Sequence, residues 1–450
     1  MASKNATLMT EGNIWERIIK FALPLMLGYL FQQLYTAVDS IVVGNFVSKQ
    51  ALAAVGTTTP IVNMLIGFFT GLSSGASVVI ARSYGAQNRE KLQDAVHTAI
   101  GMILALSVVA TAIGVFMVPY MLRFMKTPDD VFGESRTYLT IYFSGIASLM
   151  IYNMGSAILR AVGDSKRPLY YLVISSFVNI VFDLLFVILF RMGVAGAAYA
   201  TVLSQIISAV LVLVTLTREE GMFRLHWNKI KIHKYVMQEI FHIGFPTALQ
   251  QSITSFSNVF VQSYINSFGS SAMAAWSAYI KIDHFAIIPL DSISMSITTF
   301  VGQNLGIRDV KRAQKGTKNA IILAFAATAA ISVPILIFAP QLIALFNKEA
   351  EVIEYGVFLL RFMTPFYSLV AVNSVLSGSL CGSGDTRVPT AIRLFSFVVF
   401  RQVYLFLVTQ HTDSFVAVAL GYPLGWMISA VFGSLYYLYK KREIEARFSN

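Results

Sequence analysis

Cys381 is the single cysteine in 450 residues, so an internal disulfide and a cysteine metal cluster are both excluded. It reads as a small packing residue. Charge is scarce as well. Asp, Glu, Lys and Arg make up 13% of the chain, against roughly 25% in soluble domains. Walker A, HExxH and CxxC motifs do not occur. ATP hydrolysis and ordinary catalysis therefore have no visible machinery, and an enzyme is not expected. His97, His284 and His411 are scattered without metal-ligand spacing. The ~10-residue alternating segments of a β-barrel are also missing.

Apolar sequence is what abounds: 56% of residues are hydrophobic and mean hydropathy is +0.65. No soluble core of this size hides so many long apolar runs, which predicts an all-α polytopic membrane protein. About 20 apolar residues make one crossing. By that measure twelve spans are expected, at 15–43, 51–80, 93–120, 136–159, 168–190, 194–217, 236–266, 272–301, 317–345, 352–380, 389–409 and 414–439. The opening MASKNATLMTEGN lacks the basic-then-apolar pattern of a cleaved signal, so the first span is expected to direct insertion.

The net charge of +11 reads as positive-inside bias rather than nucleic-acid binding. With the N-terminus inside, the inner segments hold 22 Lys and Arg and the outer loops 6. That predicts a multi-pass plasma-membrane protein with both termini cytoplasmic. The longest inner connection, 218–238, is polar and basic. It reads as a linker between an N-terminal six-helix lobe, 1–217, and a C-terminal one, 239–450. The halves repeat. Gly85 after the second span and Gly306 after the eighth stand 221 residues apart, as do Gly163 and Gly384 before the fifth and eleventh. Pro24 and Pro246 open the first and seventh spans at an offset of 222. Six spans separate equivalent points. The expected repeat is therefore parallel, with pseudo-two-fold symmetry about the membrane normal. That is a transporter plan with the substrate site between halves.

Three polar stripes stand out in the first half. Gln32, Tyr35, Thr36 and Asp39 lie at i, i+3, i+4 and i+7 of the first span, on one helical face. A carboxylate there costs about 2.5–3.5 kcal/mol at a span's centre, so it normally faces a bundle interior or wet cavity. Ser175 or Ser176, Asn179 and Asp183 form the second stripe, and Thr201, Ser204, Gln205 and Ser208 the third. Asp39 falls ~6 Å from the outer end of its span, and Asp183 and Thr201 ~10 Å from theirs. These depths allow one cluster of oxygen ligands, suited to a proton or a hard cation such as Na⁺. The repeat puts Phe260 or Val261 opposite Asp39, Tyr404 opposite Asp183 and Phe400 opposite Asn179. The ion cluster is thus confined to the first half. The seventh span has a neutral stripe of Gln251, Thr254 or Ser255, Asn258 and Gln262, which suits a substrate wall. Tyr35, Tyr142 and Tyr152 supply aromatic surface for a cationic compound. Lys281, Asp283 and Asp291 on the eighth span and Arg393 and Arg401 on the eleventh are expected to neutralise one another.

Pro24, Asp39 within VDSIVVG, the Gly85 and Gly306 loops, the Gly163-Asp164 and Gly384-Asp385 turns, and Asn179-x-x-x-Asp183 together resemble the multidrug and toxic compound extrusion (MATE) transporters. The resemblance covers essentially the whole chain, and the pattern is similar to the DinF-like branch. It implies cation coupling through Asp39, Asn179, Asp183 and Thr201, with Asp39, Asn179 and Asp183 holding Na⁺ if Na⁺ is the ion. Gln32 or Gln33 and Asn153 are similar to that family's first-lobe substrate contacts. Tyr35, Gln251 and Asn258 complete the expected substrate surface. The NorM-like branch carries acids on its seventh helix. Here Gln250 and Gln251 stand nearby and no acid follows them in that span. The expectation is an H⁺- or Na⁺-coupled antiporter that exports amphipathic, often cationic organic compounds by alternating access. It would be a monomer among membrane lipids, with no cofactor beyond the coupling ion and no nucleic-acid partner. The alternative is a lipid or lipid-linked-sugar flippase of the same wider superfamily.

Overall fold

The computed structural model describes residues 8–47, 49–125, 127–412 and 414–448. Within the helices, the side chains of residues 39–41, 44–45, 49–50, 52–53, 57, 256, 259 and 447–448 lie outside the description. Among the described residues there are helices and turns but no strand. The first half runs α1 (Ile14–Phe46), α2 (Lys49–Gly85), α3 (Arg89–Phe124), α4 (Asp129–Ser144), α5 (Ile146–Ala161), α6 (Lys166–Asp183) and α7 (Gly193–Arg218). The second runs α8 (Lys234–Asn266), α9 (Ser270–Gly306), α10 (Val310–Ile337), α11 (Ala339–Ala344), α12 (Ala350–Met363), α13 (Tyr367–Gly382), α14 (Arg387–Leu394), α15 (Arg401–His411) and α16 (Phe415–Phe448).

The twelve spans are all present as helices or broken helices. Among the described residues, ten helices are long and apolar enough to cross a membrane, and a bent pair makes an eleventh if it is one span. α8, 33 residues long, occupies the place of the seventh span. The bent pair corrects one expectation. The fourth span is not one helix, because α4 and α5 meet at 48°. The break is Gly145, where a Cβ would come within 2.3 Å of the Val202 side chain.

The repeat holds at the level of single turns. α2 and α9 end on paired bonds that return the chain to the helix: Asn88 N to Ser83 O and Gln87 N to Tyr84 O, then Asp309 N to Asn304 O and Arg308 N to Leu305 O. Gln87 and Arg308 take left-handed φ values of 53° and 62°, as this helix stop requires. The next residue then caps the following helix. Asn88 accepts from Lys91 N at 3.0 Å and Asp309 from Arg312 N at 2.8 Å. The same stop recurs after α5 and α13, with Gly163 (φ 87°) and Gly384 (φ 77°) in the left-handed position.

The chain packs as two compact units. One holds Pro24–Ala248, and the other joins Met9–Leu23 to Leu249–Asn450. α1 therefore changes unit at Pro24, and α8 changes just past Pro246. In the first unit, α2 packs against α3, α4 and α5, and the start of α8 crosses it. A Cβ on Gly71 would stand 2.4 Å from Ala248 Cα, and one on Gly75 2.4 Å from the Ile240 carbonyl oxygen. Only glycine lets membrane helices approach this closely. In the second unit α9 plays the part of α2, against α10, α12 and α13. The start of α1 lies on it. Ser296 Oγ donates to the Ile18 carbonyl at 3.2 Å, and Met9 N donates to Gln303 Oε1 at 2.8 Å. Arg312 clasps the Gly12 carbonyl at 2.8 Å. Ser296 stands 221 residues after Gly75, so a glycine crossing in one half becomes a hydrogen bond in the other.

Candidate functional site

The second and third first-half stripes turn inward, with Ser204 and Ser208 buried on α7, whereas Thr36 of the first is exposed. Ser175, Ser176, Asn179 and Asp183 are all buried along α6, with Asp183 at 0% exposure. Asp183 is the last α-helical residue. The span then widens into a π turn, Leu184–Leu189, marked by the bond from Phe190 N to Leu185 O at 2.9 Å. Single π turns inside membrane helices often accompany functional positions. The eleventh span also has a π turn, Phe395–Phe400, but it falls ten residues short of the equivalent place. The widening beside Asp183 is therefore particular to the first half.

One packing cluster sets the level at which the stripes meet. Val42, Val43, Tyr138, Val187, Val194, Ala197 and Ala198 pack together, with Val38 against them. Val38 and Val42 flank Asp39 on α1, Val187 follows Asp183 by one turn, and Ala197 and Ala198 precede Thr201 by one turn. α1, the end of α6 and α7 thus converge where Asp39, Asp183 and Thr201 sit. The backbone of Asp39 belongs to α1, and its side chain lies outside the described residues. Asn179 is 1% exposed, and neither its carboxamide oxygen nor its nitrogen has a hydrogen-bond partner among the described residues. An orphaned buried carboxamide is costly unless something binds it. Thr201 donates its hydroxyl to the Ala197 carbonyl at 3.0 Å, which leaves its oxygen lone pairs free to accept or ligate. Carboxylate, carboxamide and hydroxyl oxygens fit a proton or Na⁺.

The expected substrate residues divide between the units. Gln32, Gln33, Tyr35 and Asn153 are half-buried in the first unit. Asn153 donates to the Leu149 carbonyl at 2.9 Å. Tyr142 is buried beside Gln205 and Tyr35, so the third stripe also reaches this region. Tyr152 points elsewhere and donates to the Pro168 carbonyl at 3.1 Å. Gln251 and Asn258 lie in the second unit, Gln251 half-buried and Asn258 exposed.

The second unit narrows the expectation of mutual neutralisation to one pair, Asp291 and Arg393, which interact electrostatically. No direct ion pair links Asp283 or Asp291 to Arg393 or Arg401 among the described residues. Asp283 instead accepts from Tyr367 Oη at 2.6 Å and Tyr279 Oη at 3.2 Å. Arg401, 4% exposed, donates to Asn258 Oδ1 at 2.8 Å and Ser257 Oγ at 3.2 Å. Its guanidinium also lies 4.7 Å over the Tyr422 ring. Arg393 reaches the Asn373 carbonyl at 3.4 Å, and Lys281 rests over Phe346. Neutral dipoles and aromatic faces hold Asp283, Arg401 and Lys281, while Asp291 and Arg393 act on each other as opposite charges without a direct ion pair. The tyrosines around Asp283 carried one legible signal, Tyr279 one turn before it. Arg401 and Asn258 are 143 residues apart, beyond any local pattern.

With this geometry in view, the comparisons with known proteins agree. The MatE family model matches the chain twice, over residues 24–185 and 246–407, the two halves of the repeat. The "Probable multidrug resistance protein YpnP" of Bacillus subtilis is 29% identical over 437 residues, 96% of each chain. A structure described as an outward-facing conformation of a multidrug resistance MATE family transporter superposes with TM-score 0.92 at 25% identity, over 99% of this chain and 100% of that one. A Pyrococcus furiosus transporter of the MOP superfamily, described as having reverse polarity of its binding pocket, superposes with TM-score 0.92 at 26% identity, over 99% of both chains. The chain belongs to the MatE family, the multidrug and toxic compound extrusion transporters.

Proposed function

We propose that the protein is a cation-coupled antiporter of the DinF-like kind. It admits H⁺ or Na⁺ and exports amphipathic, often cationic organic compounds by alternating access. The observation that carries the reading is the buried first-unit level where Asn179 and Asp183 meet α1 and α7, with the Asn179 carboxamide unpartnered. Two carboxylates, Asp39 and Asp183, at one poorly solvated level make a bare negative pair expensive. The pair therefore takes a cation when open to the side that supplies it. Binding cancels the charge that attracts a cationic compound, and the compound leaves. When open to the other side, the cation dissociates and affinity for the compound returns. Coupling follows, because a ligand shifts a two-state equilibrium only through its different affinity for the two states. Gln32, Gln33, Tyr35 and Asn153, with Gln251 and Asn258, supply polar and aromatic substrate contacts.

The test is export of a fluorescent cationic dye from cells, with the proton gradient collapsed or Na⁺ replaced by K⁺. Export stops under one of the two conditions if the reading holds. Export that continues under both overturns it.

A further inference from the structure

A second feature lies in the first unit, at the N-terminal end of α3. We infer that the cleft between the start of α3 and the segment joining α7 to α8 is an anion site, built for a phosphate-bearing ligand. Arg89, Gln93, Asp94 and His97 of α3 face His226, Lys229, Lys231 and His233 of the segment across a cavity of about 430 Å³. That volume lies within the range of small-ligand pockets.

The segment is fixed in place although it is neither strand nor long helix. Gln93 Nε2 donates to the Met222 carbonyl at 2.5 Å and the Arg224 carbonyl at 3.2 Å. His226 N donates to His97 Nε2 at 3.1 Å. Thr98 bonds both ways, to the Lys231 carbonyl at 3.3 Å and from His233 N at 3.1 Å. Extended backbone alternates its side chains. Ile230 and Ile232 pack on Gly101, where a Cβ would meet them at 3.1 and 3.2 Å. Lys231 and His233 consequently turn to the cleft, and Lys229, at the end of the 3-10 turn Trp227–Lys229, lines it too.

The charge of the cleft is uncompensated. Arg89, Lys229 and Lys231 form no ion pair among the described residues. The one lining carboxylate, Asp94, is already engaged. His233 Nε2 lies 3.4 Å from it, and it accepts the Tyr235 hydroxyl, whose pKa that bond and burial push up to about 12. Burial, and then Arg224, Lys229, His97 and Arg89, hold His226 below the usual imidazole range, which marks a field of positive sign. His97 is committed, with Nδ1 on the Gln93 carbonyl at 2.7 Å and Nε2 accepting from His226 N. Positive-inside bias alone accounts for basic loops. It does not account for a stapled backbone that aims two lysines and an arginine into one cleft. The repeat differs at these positions, where Val310, Gln314, Lys315 and Lys318 stand in place of Arg89, Gln93, Asp94 and His97. Phosphate oxygens match this donor set, whether they come from a soluble phosphorylated compound or from an anionic lipid headgroup.

The experiment titrates the full-length protein in phosphatidylcholine nanodiscs with inorganic pyrophosphate. Wild type binds, and the Lys229→Ala/Lys231→Ala variant binds at least ten-fold more weakly. Both lysines are exposed, so their loss leaves the fold intact. Lys311→Ala/Lys315→Ala, which removes two exposed lysines of α10, binds like wild type. A second arm uses nanodiscs rich in phosphatidylglycerol. Loss of pyrophosphate binding there assigns the site to a lipid headgroup, and retained binding assigns it to a soluble phosphate compound. The inference is overturned if wild type binds no tighter than Lys229→Ala/Lys231→Ala. It is equally overturned if Lys311→Ala/Lys315→Ala weakens binding as much, because general surface charge would then explain it.

Discussion

At the residue scale, the account rests on a few oxygen atoms in α1, α6 and α7. Asp183 and Asn179 are buried without being part of the apolar packing. Replacing either removes a candidate ligand while keeping the volume of the core. Asp39→Asn and Asp183→Asn should each lower gradient-driven export at least ten-fold, with unchanged insertion and melting temperature, as read by dye efflux and thermal unfolding in detergent. Thr201→Ala keeps the helix and removes one neutral oxygen. It should raise the Na⁺ concentration for half-maximal export if Na⁺ is the ion, and leave a proton-coupled rate nearly unchanged. Wild-type export by Asp39→Asn, with unchanged pH and Na⁺ dependence, would move attention to Asp283, where two tyrosine hydroxyls already gather. The stripes were legible because 3.6-residue spacing puts their members on one face. The companions of Asp283 and Arg401 were not. Opposite charges in one half suggested ion pairs, whereas hydroxyl, carboxamide and ring partners come from distant spans whose facing no local spacing fixes.

At the element scale, glycine decides which helices cross closely. A Cβ added at Gly75 would meet backbone atoms of α8 at 2.4 and 2.6 Å, and these cannot move as a flexible side chain would. Gly75→Ala should therefore cost about 1–3 kcal/mol, the range for overpacking. Gly133, on the exposed side of α4, has nothing within 4 Å of its absent Cβ. Gly133→Ala should stabilise by up to about 1 kcal/mol, because alanine loses less backbone entropy in a helix. Thermal unfolding of both variants checks the pair. A stable Gly75→Ala protein would mean that α2 and α8 do not cross as described. Helix number was readable from apolar run length. The break at Gly145 was not, because a glycine inside an apolar run is tolerated as often as it bends a helix. The π turn after Asp183 had no sequence mark either, since nothing in Leu184–Leu189 departs from an ordinary apolar helix.

At the scale of the whole molecule, the two halves share a scaffold and differ in chemistry. Helix starts recur at offsets of 220 to 222 residues, yet Asp39, Asn179 and Asp183 have no acid or amide at the repeated positions. The repeat was visible because its turns need particular residues, glycine in the left-handed position at Gly163 and Gly384 and Asn88 or Asp309 at the cap. Sidedness follows from the Lys and Arg bias. In a Cys381→Ser background, a cysteine at Lys348 should react with an impermeant thiol reagent added outside, and one at Lys91 should not.

Coupling is the central claim, and release of the coupling cation on substrate binding tests it most directly. Purified protein in weakly buffered solution is mixed with a cationic substrate while free H⁺ or Na⁺ is recorded. The account predicts that wild type releases one of the two cations and that Asp183→Asn releases neither, although it still binds substrate. Substrate binding to wild type with no release of either cation, at any pH between about 5 and 8 where coupled carboxylates can titrate, would contradict it.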